Sequence, residues 1–120
     1  MKILVVDDSK AMRMIVIRTL RQAGYAGHDI VEAGDGKEAL ALVASEQPDL
    51  VLSDWNMPEM NGIDVLDTLR AQGSTVPFGF VTSEGSPEMR SRAAASGALF
   101  LIAKPFTPEA FDEALSQVVH

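Results

Sequence analysis

Lys2-Ile3-Leu4-Val5-Val6-Asp7-Asp8 is the stretch whose reading decides the fold. After Lys2, the run is apolar, rich in branched side chains and too short for a stable helix, so residues 2–6 read as a strand. The run does not alternate polar with apolar, which marks a strand buried on both faces of a parallel sheet. It stops abruptly on two acids. The next stretch, residues 9–23, carries Met12, Ile15, Val16, Thr19, Leu20 and Ala23 at helical spacing, and Gly24 stands where a helix stop belongs. The unit is therefore strand, acidic corner, helix.

The same unit recurs along the chain. Strands are expected at 28–33, 49–53, 76–81 and 99–103, and helices at 37–46 and 63–71. Ser86-Pro87-Glu88 and Thr107-Pro108-Glu109 are two further helix starts, each an N-cap hydroxyl followed by proline and an early acid. The fourth helix runs from there to about Ser96, and the fifth carries Phe111, Ala114, Leu115 and Val118. Turns fall at Gly34-Asp35-Gly36 and in the loop 54–61, which contains Pro58 and closes at Gly62. Strand–helix alternation with short connections implies an α/β fold with one parallel sheet and helices on both faces. Five strands are too few for an eight-stranded closed barrel. No linker or internal repeat divides the chain, so residues 1–120 read as one domain.

Composition excludes several classes of function. Of 120 residues, 47% are hydrophobic and 22% charged, which is a globular balance rather than a disordered or fibrous one. No apolar run approaches the about 20 residues of a spanning helix, and Met1-Lys2 opens no secretory leader, so no membrane insertion is expected. Cysteine is absent, which removes disulfides and thiolate chemistry and is consistent with a cytoplasmic location. Ten basic residues against 17 acidic ones give a net charge of −7, which would repel a phosphate backbone. Direct nucleic-acid binding is not expected.

In an open parallel sheet, ligands sit beyond the carboxyl ends of the strands. Here those ends carry Asp7-Asp8, Asp54, Thr82 and Lys104. Three carboxylates brought together raise one another's pKa unless a cation joins them. A hard divalent ion such as Mg²⁺ suits carboxylate oxygens with water and a phosphate. A carboxylate beside it can attack phosphorus and form an aspartyl phosphate, with Lys104 and the Thr82 hydroxyl neutralising and positioning the phosphoryl oxygens. Taken singly, each residue has an ordinary reading. Asp8 or Ser9 caps a helix, Asp54 is a turn acid, Thr82 starts a Ser/Thr turn and Lys104 is solvated. Four strand ends supplying the parts of one site outweigh those readings. The methionines read as filler, and His28 and His120 lack partners at ligand spacing.

These residues resemble the receiver domain of two-component response regulators. The likeness rests on Ile3-Leu4-Val5-Val6-Asp7-Asp8, Met12-Arg13, Ala33-Gly34-Asp35-Gly36, Asp54-Trp55-Asn56-Met57-Pro58, Asn61-Gly62, Thr82-Ser83-Glu84 and Ala103-Lys104-Pro105-Phe106. They span the whole chain in order, and Asp-Trp-Asn-Met-Pro is similar to the chemotaxis branch of single-domain receivers. The resemblance implies a flavodoxin-like sheet of strand order 2-1-3-4-5. It implies Asp54 as phosphate acceptor, Mg²⁺ held by Asp8, Asp54 and the Asn56 carbonyl with Asp7 reaching it through water, and Lys104 and Thr82 contacting the phosphoryl group. It also implies a cis Lys104-Pro105 bond.

The donor would be a phosphohistidine on a sensor histidine kinase or a histidine phosphotransfer protein. No output domain is expected, so output would be a protein contact made by a monomeric receiver, with no separate substrate turned over. The family's usual output surface is the fourth helix, fifth strand and fifth helix, where Met89, Arg90, Leu101, Ala103, Glu109 and Glu113 stand. One position departs from the family. The aromatic residue usual three positions before the lysine is Leu101 here, and Phe100, one residue earlier, faces the other side of the strand. Leu101 is expected to fill the inner pocket permanently. Two other readings differ in class. A phosphatase of the haloacid-dehalogenase type needs Asp-x-Asp after the first strand, where this chain has adjacent acids. A degenerate receiver acting as a constitutive adaptor would not need the intact acids, threonine and lysine.

Overall fold

The structure is a computed structural model and describes every residue except Glu84, Pro105, Val119 and His120. The Lys104-Pro105 bond and His120 therefore lie outside the described residues. The elements run β1 (Lys2–Val6), α1 (Lys10–Leu20), a π-helical turn (Arg21–Tyr25), β2 (Asp29–Ala33), α2 (Gly36–Glu46), β3 (Leu50–Ser53), α3 (Gly62–Ala71), β4 (Phe78–Thr82), α4 (Pro87–Ala95), β5 (Phe100–Ala103) and α5 (Pro108–Leu115). All five strands are parallel, in the order β2-β1-β3-β4-β5.

The apolar run of β1 is continuous because the sheet is covered on both sides. Ile3 and Val5 join a core with Val16, Leu20, Phe111 and Leu115, beneath α1 and α5. Leu4 and Val6 join the opposite core with Ala39, Val65, Leu66, Leu69 and Ala93, beneath α2, α3 and α4. Each strand residue thus sends its side chain to one layer or the other with period two. The helix starts are set by short polar caps. The side chains of Ser9, Asp35, Ser86 and Thr107 accept from the backbone N–H groups of Met12, Glu38, Met89 and Ala110.

Three elements depart by two residues or more from the sequence expectation: the first helix, the fourth strand, and the fifth helix, which ends at Leu115 and leaves Val118 beyond it. The first helix was expected over 9–23, but its α-helical part ends at Leu20 and passes into the π turn, inside which Gly24 takes a left-handed φ of 101°. Tyr25 is buried at the end of that turn, so the extra residue per turn swings an aromatic ring inward. Ile15, expected on the buried face, is 42% exposed. The buried stripe of α1 is Val16, Thr19 and Leu20, which leaves Ile15 and Met14 on the outside. The fourth strand begins at Phe78 rather than Val76 and includes Thr82, paired opposite Ala103.

Phe100 and Leu101 face opposite layers, and the β4–β5 register runs through both without a bulge. Phe100 packs across Gly79 on β4, where a methyl group would lie 2.2 Å from its ring. Leu101 is only half-buried rather than fully enclosed. β5 is an edge strand, and a cleft of about 100 Å³ lined by Arg90, Ala94 and Leu99 opens beside it.

Candidate functional site

The carboxyl edge of the sheet is assembled by backbone bonds that prolong the ladder. The Asp7 N–H donates to the Ala33 carbonyl at 3.2 Å, Asp54 N–H to Val6 at 2.9 Å and Lys104 N–H to Thr82 at 2.7 Å. These bonds hold the strand ends at one level, so the side chains just beyond β1, β3 and β5 meet. Oxygens of Asp7, Asp8 and Asp54 all lie within 4.8 Å of one another. Lys104 Nζ stands 3.5 Å from Asp7 Oδ2 and 3.5 Å from Asp54 Oδ2. Asp7 is buried, Asp54 half-buried and Asp8 exposed. Thr82 is fully buried at the end of β4, between the strands that carry Asp54 and Lys104. Asn56 lies exposed in the loop after β3.

The remaining oxygens of the two inner acids are tied to backbone. Asp7 Oδ1 accepts from the Ser9 N–H at 2.9 Å, and Asp54 Oδ1 accepts from the Trp55 N–H at 2.7 Å. Each acid therefore presents Oδ2 to the lysine. Burial pushes the Asp7 carboxyl above its ordinary value, and the charges of Asp54 and Asp8 push the same way. The Ser9 N–H and Lys104 pull it down without cancelling that push. One ammonium among three carboxylates leaves a site short of positive charge. An all-oxygen donor set with excess negative charge fits a hard divalent cation.

Gly62, at the start of α3, packs directly against the backbone of Asp54. Its N–H donates to the Trp55 carbonyl at 2.8 Å, and the Asp54 carbonyl sits where a side chain on Gly62 would be. Arg13 is a component to which the sequence reading attached no role. Its Nη1 donates to the Asp7 carbonyl at 2.6 Å and its Nε to Glu32 Oε1 at 3.0 Å. A basic residue one and a half helical turns beyond the acidic pair, opposite an acid on β2, was the available signal.

Fold and site define a class: doubly wound α/β proteins with an acidic, lysine-bearing pocket at the carboxyl edge of the sheet. Within it, the chain matches the model of the response regulator receiver domain over residues 3–116, and it belongs to that family. It is 41% identical to the chemotaxis protein CheY1 of Helicobacter pylori strain J99, covering 99% of this chain and 97% of that one. It is 40% identical to a CheY homolog of Campylobacter jejuni, covering 99% and 92%. Among solved structures it superimposes on Vibrio cholerae chemotaxis protein CheY4 with a TM-score of 0.85, at 38% identity over 98% of each chain. The receiver domain of Francisella response regulator 1452 gives a TM-score of 0.86, at 30% identity over 98% of this chain and 94% of that one. The chain is thus a CheY-like receiver, and receivers are signalling proteins rather than classical enzymes. Receiver domains generally use Mg²⁺ at an acidic site, and this chain brings Asp7, Asp8 and Asp54 together in a cluster that could hold a metal ion. Among the described residues, no helix is long and apolar enough to cross a membrane.

Proposed function

We propose that the chain forms one receiver unit that takes a phosphoryl group onto Asp54 from a phosphohistidine and signals through protein contacts. The observation that carries this reading is the convergence of Asp7, Asp8 and Lys104 on Asp54. The Asp54 carboxylate forms a bond to phosphorus as the P–N bond breaks, and the departing imidazole takes the electron pair and a proton. Water later attacks the same phosphorus, releasing inorganic phosphate and restoring the carboxylate. Asp7, Asp8, Asp54 and the Asn56 carbonyl would hold Mg²⁺, which supplies charge neutralisation for the incoming phosphoryl oxygens. Lys104 and Thr82 flank the acceptor and would hold the phosphoryl group once bound. The pre-set lysine keeps the cost of organising charge low at the moment of transfer.

The donor is a sensor histidine kinase or histidine phosphotransfer protein. A largely apolar groove of about 430 Å³, lined by Met12, Ile15, Lys104 and Phe106, adjoins the acceptor through Lys104 and suits a helix of that donor. Output belongs to the surface of α4, β5 and α5, with chemotaxis or motor control in the cytoplasm as its setting. With leucine at position 101 in place of a ring, the change at β5 is small and the response rests on α4 and the loop before it. A small-molecule phosphodonor with Mg²⁺ should add one phosphoryl group to the intact protein, and Asp54→Asn should block stable labelling. A label mapped to Asp7 or Asp8 in the wild type would sink the assignment.

A further inference from the structure

The Asp7–Asp8 corner is held from a side that the acceptor chemistry does not touch. Asp7 is tied at its N–H by Ala33, at Oδ1 by Ser9 and at its carbonyl by Arg13. Asp8 is different. Among the described residues its carboxylate has no hydrogen-bond or ion-pair partner, and it is exposed. What aims it is its backbone. The Asp7 carbonyl and the Asp8 N–H belong to one planar peptide, so fixing that carbonyl fixes the plane from which the Asp8 side chain departs. The bond doing so is short, 2.6 Å, and charge-assisted. Its donor is itself held, because the Arg13 side chain is only 16% exposed and its Nε is bonded to Glu32.

We infer that Arg13 is a positioning residue of the acceptor site, clamping the Asp7–Asp8 peptide so that both carboxylates face Asp54. This rests on the reading above that the cluster holds a divalent cation. Partners that orient metal ligands from behind are worth about 10–100-fold in metal affinity when removed. The rival explanation is that Arg13 pins α1 to β2 through Glu32 and reaches the cation only through its charge. The two differ in sign. If Arg13 acts only through charge, Arg13→Met removes a cation and leaves Glu32 unpaired near the site, so Mg²⁺ should bind more tightly. If Arg13 positions the corner, the same substitution weakens Mg²⁺.

The test is a MgCl2 titration of the full chain, read by the emission of Trp55, the only tryptophan and the neighbour of Asp54. Folding of each variant is checked by far-ultraviolet circular dichroism. Arg13→Met is expected to weaken Mg²⁺ about tenfold. The double variant Arg13→Met/Glu32→Gln removes one charge of each sign and should be weakened similarly, so it serves also where the single variant folds poorly. Glu32→Gln alone keeps the carbonyl clamp and should stay within about twofold of wild type. Unchanged or tighter Mg²⁺ binding in both Arg13 variants, with binding abolished in Asp8→Ala, would overturn the role of Arg13 and leave the cation site standing. A wild-type protein that gives no Mg²⁺ response would overturn both.

Discussion

A single methyl group added at Gly62 presses on the acceptor itself. The Cβ of Gly62→Ala would lie 2.1 Å from the Asp54 carbonyl oxygen, 3.1 Å from its carbon and 3.0 Å from Phe80 Cε1. A carbon–oxygen contact relaxes to about 3.3 Å, so the carbonyl must withdraw by roughly 1 Å. It is not free to do so. The Asp54 oxygen accepts from Ser53 Oγ at 2.8 Å, and the Asp54 N–H is held by Val6 at 2.9 Å. Phe80 on the other side is fully buried. Overpacking of this kind costs about 1–3 kcal/mol, against a helix-propensity gain of at most about 1 kcal/mol for alanine over glycine. The expected net loss of about 1–2 kcal/mol lowers the melting temperature by roughly 3–5 °C per kcal/mol in a chain of this size. The displaced Asp54 carboxylate should also take up phosphoryl about ten- to a hundredfold more slowly, because misplacement near 1 Å is costly in transfer chemistry. Urea unfolding and the initial rate of labelling by a small-molecule phosphodonor measure the two effects. Gly36→Ala is the comparison, since its methyl would meet the flexible Met60 side chain at 2.9 Å and should cost less. Wild-type values of both the urea midpoint and the labelling rate in Gly62→Ala would refute the reasoning.

Three further outcomes follow from the same geometry. Mg²⁺ should raise the melting temperature by linkage, and Asp8→Ala should remove most of that rise while stabilising the metal-free protein by relieving repulsion; differential scanning calorimetry with and without MgCl2 checks both. Gly79→Ala should cost about 1–3 kcal/mol by driving a methyl into the Phe100 ring, with Phe100→Leu restoring part of the loss in a double-mutant cycle. A hydrogen bond from Ser96, and then the Arg92 guanidinium, hold the Asp67 carboxyl below its ordinary value of 3.8. A depressed acid contributes stability above its unfolded pKa and loses it as pH falls through the folded one, so Asp67→Asn should flatten the acid limb of the stability curve below about pH 4. The effect is small and salt-sensitive, because both side chains are largely exposed.

The parts of the fold that were legible in the sequence are those in which one local cause dominates. β1 reads correctly to the residue because a run buried on both faces has no polar alternation to blur its ends, and two acids stop it. The starts of α4 and α5 read correctly because Ser86-Pro87 and Thr107-Pro108 each combine a cap with a fixed φ. The end of α1 was less legible. Gly24 does take the left-handed conformation expected of a stop, yet the π turn around it depends on burying Tyr25, a tertiary demand that no local spacing expresses. Ile15 failed for a related reason: helical period identifies a face about 100° wide but not which edge of it the neighbouring helix covers. At the site, the acids and Lys104 were legible because polar residues directly after apolar strands are conspicuous. Arg13 and Gly62 were not, because they act on the backbone carbonyls of Asp7 and Asp54, and the residue types alone do not show which carbonyl a guanidinium reaches or a bare Cα packs against.

The same distinction bears on how a signal would leave the site. At β5 the aromatic ring sits on the α1–α5 side, where Phe100 is locked over Gly79, while the α4 side receives the half-buried Leu101. A ring wedged against a residue that has no side chain has nowhere to turn without opening the β4–β5 contact. A leucine on an edge strand has little to transmit by turning. What does connect the two elements on the α4 side is Arg90, whose Nε donates to the Gly85 carbonyl and whose Nη1 donates to the Leu101 carbonyl, each at 3.2 Å. Gly85 lies three residues beyond Thr82, the hydroxyl nearest the acceptor on β4. A displacement of Thr82 toward a phosphoryl group would therefore reach β5 through backbone and a guanidinium rather than through a rotating ring. On the proposed reading, such a link would move α4 and its preceding loop together and leave the strand itself in register.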